Sequence, residues 1–334
     1  MTCKTKRVIW VSVLIIALAL TFFPRFDRQD IGPIKDYTGR INGEQSFGDA
    51  VYYMNYVEYF RGEAALNEID LPFRYRPLIP LLASLLPIES PMTALNVINV
   101  VALYITLLIL FLFLRHIGFD FGLAIAGCFM YAVSFPVFYM STTGYLEACA
   151  MCMLAAGLYA VFRQRWTVVA LIIAAGVFVK EVIALLIPIA ITYLWLVERN
   201  RNRILPIVAL QVAAFVFATL ATKWIFRDAG DFYWIPSIST LVDNLRFRAF
   251  ASLLLSFGIP GLISILFAAR YRTMSRNVDR RFLLPMLTGI IFTLLLVIYS
   301  MLTAYTDGRF IWPMTLFTIP LSLWVIREKM SRVR

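Results

Sequence analysis

The chain has 334 residues, 61% of them hydrophobic and 15% charged. A soluble domain carries about 25% charged and 45–50% apolar residues, so the excess excludes two ordinary soluble domains, and with them disordered, collagenous and disulfide-scaffold classes. The formal charge of +11 excludes little by itself, while the single histidine and the lack of metal-type Cys/His spacing offer little for His-based triads or zinc sites. What remains is an all-α polytopic membrane protein, whose apolar surface is solvated by lipid.

The apolar runs set out the spans in chain order. They lie near residues 8–23, 92–114, 119–139, 145–162, 204–226, 249–269, 282–303 and 310–326. About 20 helical residues cross a hydrocarbon core of roughly 30 Å. The first run follows Lys4, Lys6 and Arg7 and contains Ala17-Leu18-Ala19, which fits a signal peptide or an anchor. Its apolar character continues to Phe23, which favours an uncleaved anchor. Cysteine is uninformative: Cys149 and Cys152 are too close on one helix for an ordinary disulfide.

Residues 166–197 do not fit one span, because a single helix of that length stretches about 48 Å. Lys180-Glu181 interrupts them midway. A long tilted helix and two half-spans that turn near Lys180 are the alternatives, and charge decides between them. With two half-spans, segments 1–7, 115–118, 163–165, 198–203, 270–281 and 327–334 share one side. They hold 18 of the 31 Lys and Arg, whereas only Asp120, Glu198, Asp279 and Glu328 of the 20 Asp and Glu fall on or near that side. That is the cytoplasmic signature. A single span would send the later basic loops outside. The reading is therefore about ten membrane segments, two of them half-spans, in one transmembrane domain covering 1–334, with both termini cytoplasmic.

The long loops then fall outside. The first, 24–91, contains two ordered parts. Residues 47–61 place Val51, Met54, Tyr56, Val57 and Phe60 near helical spacing, which suits an interfacial amphipathic helix. Residues 77–88 are apolar but too short to span, as in a re-entrant or interfacial segment. The second external loop, 227–248, carries Asp228, Asp231, Tyr233, Trp234 and Asp243. Tyr233 and Trp234 suit the interfacial belt or stacking on a sugar ring. The cytoplasmic loops have no room for a nucleotide-binding domain, and no phosphate-binding glycine motif occurs. Chemistry, if present, sits on the external face, and nucleic acid is not an expected partner.

Five places could carry it. Asp49, in Gly48-Asp49-Ala50-Val51-Tyr52-Tyr53, either caps a helix or acts as a general base toward an acceptor hydroxyl. Tyr52 beside it is a candidate substrate contact. Arg74 and Arg76, flanked by Pro72 and Pro77, either snorkel or form a stiff phosphate clamp. Lys180 and Glu181 cost roughly 2.5–3.5 kcal/mol each inside a membrane. They form either a mutually paired couple at a turn or a cationic site for a lipid phosphate with Glu181 fixing the lysine. Arg309, in Thr306-Asp307-Gly308-Arg309-Phe310, either anchors a helix start or reaches a substrate phosphate or carboxylate. Glu147, at the start of its span, is either a simple interfacial acid or a site residue.

This layout resembles the GT-C superfamily of polytopic glycosyltransferases, which use polyprenyl-phosphate-linked sugars. The resemblance rests on Asp49 in the long loop after the first span, the Arg74-Tyr75-Arg76-Pro77 segment, the Lys180-Glu181 pair in a short membrane segment, and Arg309 ahead of the Pro313-containing span. It implies an inverting transfer from a polyprenyl-phosphate sugar donor to an external glycan, lipid or protein acceptor. By that likeness Asp49 is the base, and Lys180, Arg74, Arg76 and Arg309 are candidates for holding the donor phosphate. No cofactor is expected with certainty; a divalent metal is left open, and paired acids that would hold one are not obvious in the sequence. The implied location is a bacterial inner (plasma) membrane with the active side external or periplasmic. A lipid-linked-sugar transporter or flippase and a polysaccharide assembly or polymerase component are the alternatives.

Overall fold

A computed structural model describes residues 3–26, 49–140, 143–198, 201–229, 232–270 and 278–333. The chain is 81% helical, with 14 α-helices and no strand among the described residues. An apolar chain surrounded by lipid has to satisfy its backbone internally, and a helix does so within each segment.

The order is α1 (Cys3–Phe26), α2 (Asp49–Arg61), α3 (Leu78–Ser84), α4 (Pro91–His116), α5 (Phe121–Ala132), α6 (Phe135–Met140) and α7 (Glu147–Phe162). Then follow α8 (Trp166–Val177), α9 (Leu186–Val197), α10 (Arg201–Ile225), α11 (Ile238–Asn244), α12 (Phe247–Ala269), α13 (Arg280–Thr303) and α14 (Thr315–Val333). Helices α4, α10 (from Asn202), α12 and α13 are long and apolar enough to cross a bilayer. The outer face of α10 carries Leu205, Phe217 and Trp224 at 75%, 75% and 72% exposure. A contiguous face of this kind suits lipid and not water. These features support a helical membrane protein.

Local chemistry explains the element ends. Ser90 caps α4, its Oγ accepting from the Thr93 amide at 3.3 Å, and Pro91 occupies the first turn, where a missing N–H costs nothing. Asp120 caps α5 through the Leu123 amide at 2.9 Å. The run 119–139, expected as one span, is instead two helices, α5 and α6. Pro136 cannot donate to the Ala132 carbonyl and its ring would clash there, so α5 ends at Ala132. The last run also starts irregularly, with a 3-10 turn at Trp312–Met314 before α14.

Residues 166–197 fold back on themselves. Helices α8 and α9 have 12 residues each. Between them Lys180 is extended (φ −167°, ψ 139°) and a 3-10 turn covers Glu181–Leu185. The hairpin closes tightly because Gly176 has no side chain, and a Cβ there would stand 2.6 Å from Ile183. At the other end the Trp166 and Tyr193 rings lie 6.2 Å apart, so α9 returns to the level where α8 began.

That level is one end of the bundle. There the His116 ring meets the Phe162 carbonyl at 3.2 Å, Phe162 stacks on Phe282 at 5.4 Å, and Phe119 packs against Trp324 at 5.5 Å. The Arg327 guanidinium lies over the Phe119 ring. The described parts of the basic segments beyond the first therefore gather at one pole. The opposite pole holds α2, α3, the Lys180 turn, α11 and the segment before α14.

Two of the expected loop features take definite form. α2 buries Ala50, Tyr53, Tyr56 and Val57 against α3 and α4, and α3 occupies the first part of the short apolar run. The Leu78 amide donates to the Phe178 carbonyl at 3.2 Å and ties α3 to the Lys180 turn. Residues 27–48 of the first loop and 271–277 of the basic loop lie outside the described residues, as do Asp231 and Arg199.

Candidate functional site

At the second pole the helices enclose a cavity of about 500 Å³. Asp49, Arg76, Glu147, Lys180, Glu181 and Arg309 all line it. These come from five separate stretches of chain: α2, the turn before α3, the start of α7, the α8–α9 turn and the segment before α14. Of the eight residues singled out from the sequence, Arg74 and Tyr52 do not line it. Arg74 turns its Nε to the Ile69 carbonyl, and its own carbonyl accepts from the Tyr56 hydroxyl at 3.0 Å. Tyr52 stacks on Phe73 at 4.5 Å, and burial, with a hydrogen bond to Asp70, raises its pKa above the usual tyrosine value. Both support the loop from outside the cavity.

Each cation in this group is already matched. Arg309 donates from Nη1 to Asp49 Oδ2 at 2.8 Å and from Nε to Asp307 Oδ2 at 2.9 Å, and lies 3.8 Å from Glu147 Oε1. Lys180 Nζ donates to Glu147 Oε1. Arg76 donates from Nη2 to Glu181 Oε2 at 2.9 Å and from Nη1 to the Tyr53 hydroxyl at 2.8 Å. Burial opposes the charge on Arg76, but Glu181 and Tyr53 outweigh that and hold the guanidinium firmly protonated. Lys180 and Glu181 are not partners of each other. An extended residue sends successive side chains to opposite sides, so the lysine reaches Glu147 while the glutamate reaches Arg76.

Exposure separates the members of the pairs. The side chains of Asp49 and Glu181 are 40% and 46% exposed, whereas their partners Arg309 and Arg76 are 12% and 9% exposed. Two carboxylates thus face the open cavity, each braced from behind by a buried guanidinium. A planar guanidinium with several donors fixes a carboxylate's orientation better than a point charge does.

The segment bearing Arg309 is itself pinned. Asn244 on α11 donates to the Met301 and Ala304 carbonyls at 2.9 and 2.7 Å and accepts from the Thr306 amide at 2.9 Å. The Gly308 amide donates to Ser252 Oγ on α12 at 2.9 Å. A Cβ on Gly308 would meet Ser256 Oγ at 1.9 Å and the Ser252 carbonyl at 2.8 Å, so only glycine allows this approach. The Arg309 guanidinium also covers the Tyr145 ring at 4.5 Å, and Asn99 on α4 holds the Tyr145 carbonyl at 2.6 Å.

The rest of the lining is mostly aromatic and apolar, with Trp234, Tyr299, Leu296 and Phe310 among it, together with the hydroxyls of Thr219, Ser300 and Thr303. Lys223, near the end of α10, also lines the cavity. The sequence reading passed over it, because a lysine at the end of a span looks like an interface anchor. Asp307 acts through Arg309, and its place in the quoted Thr306–Phe310 motif was the only sequence signal for it. For a metal the residues do not fit. Among the described residues no three His, Cys, Asp or Glu side chains form a metal-binding group, and the carboxylates present are held by cations.

A scan against protein-family models returns no match for this chain, and a search of curated proteins returns none either.

Proposed function

We propose that this protein is a membrane glycosyltransferase that moves a sugar from a polyprenyl-phosphate donor to an acceptor hydroxyl at the external face of the membrane. The observation that carries this reading is the cavity-facing Asp49 carboxylate, braced by buried Arg309 within a wall of aromatic and apolar side chains. A carboxylate so placed accepts the proton of an acceptor hydroxyl as its oxygen attacks the anomeric carbon. The bond from that carbon to the donor phosphate breaks, and the phosphate leaves with the electron pair. Cations in a water-poor cavity favour the charge that develops there.

The reading includes about ten membrane segments, two of them α8 and α9 as half-spans, with both termini in the cytoplasm. The gathering of the basic segments at the pole opposite the cavity supports it, because positively charged loops stay on the cytoplasmic side. The acceptor is a glycan, lipid or protein reached from outside.

The test is sugar transfer by the purified protein in nanodiscs, with a radiolabelled polyprenyl-phosphate sugar. Asp49→Asn keeps the size and the hydrogen bond to Arg309 but removes the base. Transfer is expected to fall by at least about 100-fold, in line with general-base contributions, with thermal stability near wild type. Full transfer by Asp49→Asn would remove the base role, and absence of transfer from any such donor by the wild type would remove the function.

A further inference from the structure

The charge inventory of the cavity points to a site that the pairing pattern leaves open. Arg76, Lys180 and Arg309 are matched by Asp49, Glu147, Glu181 and Asp307, so the paired set has one more carboxylate than it has cations. A set with that balance repels an added anion. Lys223 is the remaining cation of the lining, and it makes no ion pair among the described residues. Its ammonium rests 5.0 Å from the centre of the Tyr233 ring, an interaction that leaves its N–H donors unspent. It balances the excess carboxylate of the group, and among the described residues it is the one cation of this lining that no carboxylate holds in an ion pair.

Its surroundings specify the anion further. Lys223 sits on α10, and the adjacent Leu220 and Trp224 are 59% and 72% exposed on the helix's apolar outer face. The same side chain therefore stands between a surface suited to lipid and the interior of the cavity. Phe232 and Trp234 stand beside it, packed edge to face at 4.8 Å. The Tyr299 hydroxyl holds the Trp234 carbonyl at 3.1 Å, and the Ser237 amide donates to the Leu302 carbonyl at 2.7 Å. The aromatic wall is thereby fixed to the end of α13. A ligand with a phosphate at the junction of an apolar chain and a polar head would set its charge on Lys223 and its tail along α10.

We propose that Lys223 is the phosphate-binding residue of this cavity and that the phosphate it takes is carried by a lipid. The inference rests on the glycosyl-transfer reading for the identity of the ligand. It changes that reading in one respect: the phosphate enters at α10, and Arg76, Lys180 and Arg309 hold the carboxylates in place. A lysine that only snorkels toward lipid head groups would contribute nothing to binding inside the cavity.

The experiment uses the full chain in nanodiscs of neutral lipid and a fluorescent polyprenyl phosphate without a sugar. Polyprenol, which lacks the phosphate, and inorganic phosphate serve as comparison ligands. Lys223→Gln is expected to weaken polyprenyl-phosphate binding by at least about tenfold, the scale of one lost charged hydrogen bond, and to leave polyprenol binding unchanged. Lys223→Arg should stay within a few-fold of wild type, and Lys329→Gln, at the opposite pole, should match it. Displacement of the probe by millimolar inorganic phosphate in wild type but not in Lys223→Gln would keep the site and move the source of the phosphate from lipid to solution. Equal affinity of wild type and a folded Lys223→Gln overturns the assignment and leaves the Asp49-based transfer reading standing. Failure of the wild type to bind polyprenyl phosphate at all overturns both.

Discussion

The arrangement makes Glu147 the anion on which the buried cations depend, and Glu147→Gln tests that directly. Glu147 is 6% exposed and is the only carboxylate within ion-pair distance of Lys180 among the described residues. It also lies 3.8 Å from Arg309. At an effective dielectric of about 20 a unit pair at that distance is worth about 4 kcal/mol. Arg309 retains Asp49 and Asp307, so most of that term is buffered. Lys180 has no such reserve, and removing one partner of a buried pair costs about 3–5 kcal/mol. We expect a net loss near the lower end, about 3 kcal/mol, read as a drop of about 4 °C in the unfolding midpoint in nanodiscs. The decisive comparison is the double-mutant cycle. Glu147→Gln with Lys180→Met removes both charges, and the pair should recover to within about 1 kcal/mol of wild type, giving a coupling of at least about 2 kcal/mol. Unchanged stability in Glu147→Gln, or losses that simply add, would refute the dependence of Lys180 on Glu147.

Two further outcomes follow from the packing and from the two poles. Gly308→Ala places a methyl group against the Ser252 carbonyl, which cannot rotate away, so it should cost about 1–3 kcal/mol and lower transfer by displacing Arg309. Adding Ser256→Ala should not restore it, and full recovery would show that the backbone contact is unimportant. For the topology, single cysteines at Ser239 on α11 and Ser331 on α14, in a background without Cys3, Cys128, Cys149 and Cys152, should label from opposite sides. An impermeant thiol reagent added to intact cells should modify the first and spare the second, and labelling of both from outside would refute the bipolar arrangement.

What could be read from the sequence was charge at low resolution. The described parts of the basic segments from 115–118 onward, spread along the chain, do gather at one pole, because each pair of consecutive antiparallel helices brings the chain back to the level where it began. The same balance indicated that 166–197 turns back, and Tyr193 indeed lies beside Trp166. The break in 119–139 was available in Pro136 and was hidden by the uniform hydrophobicity around it. The partners in the site were not available. Asp49 and Arg309 are 260 positions apart, Arg76 and Glu181 are 105 apart, and no local pattern encodes either pair. The strongest local hint, adjacency of Lys180 and Glu181 at the turn, pointed to a mutual pair, whereas the extended backbone at Lys180 sends the two side chains to different partners. Arg74 failed for a related reason. It lies in the 3-10 turn Phe73–Tyr75, where a residue two places before Arg76 leaves the axis in another direction, so only one of the two arginines can face the cavity. Residue type and distance from a span can therefore nominate a charged side chain. Backbone conformation at the one or two residues around it decides which neighbour it neutralises, and hence whether any charge is left over for a ligand. In this cavity that remainder falls on Lys223, a residue with no motif around it.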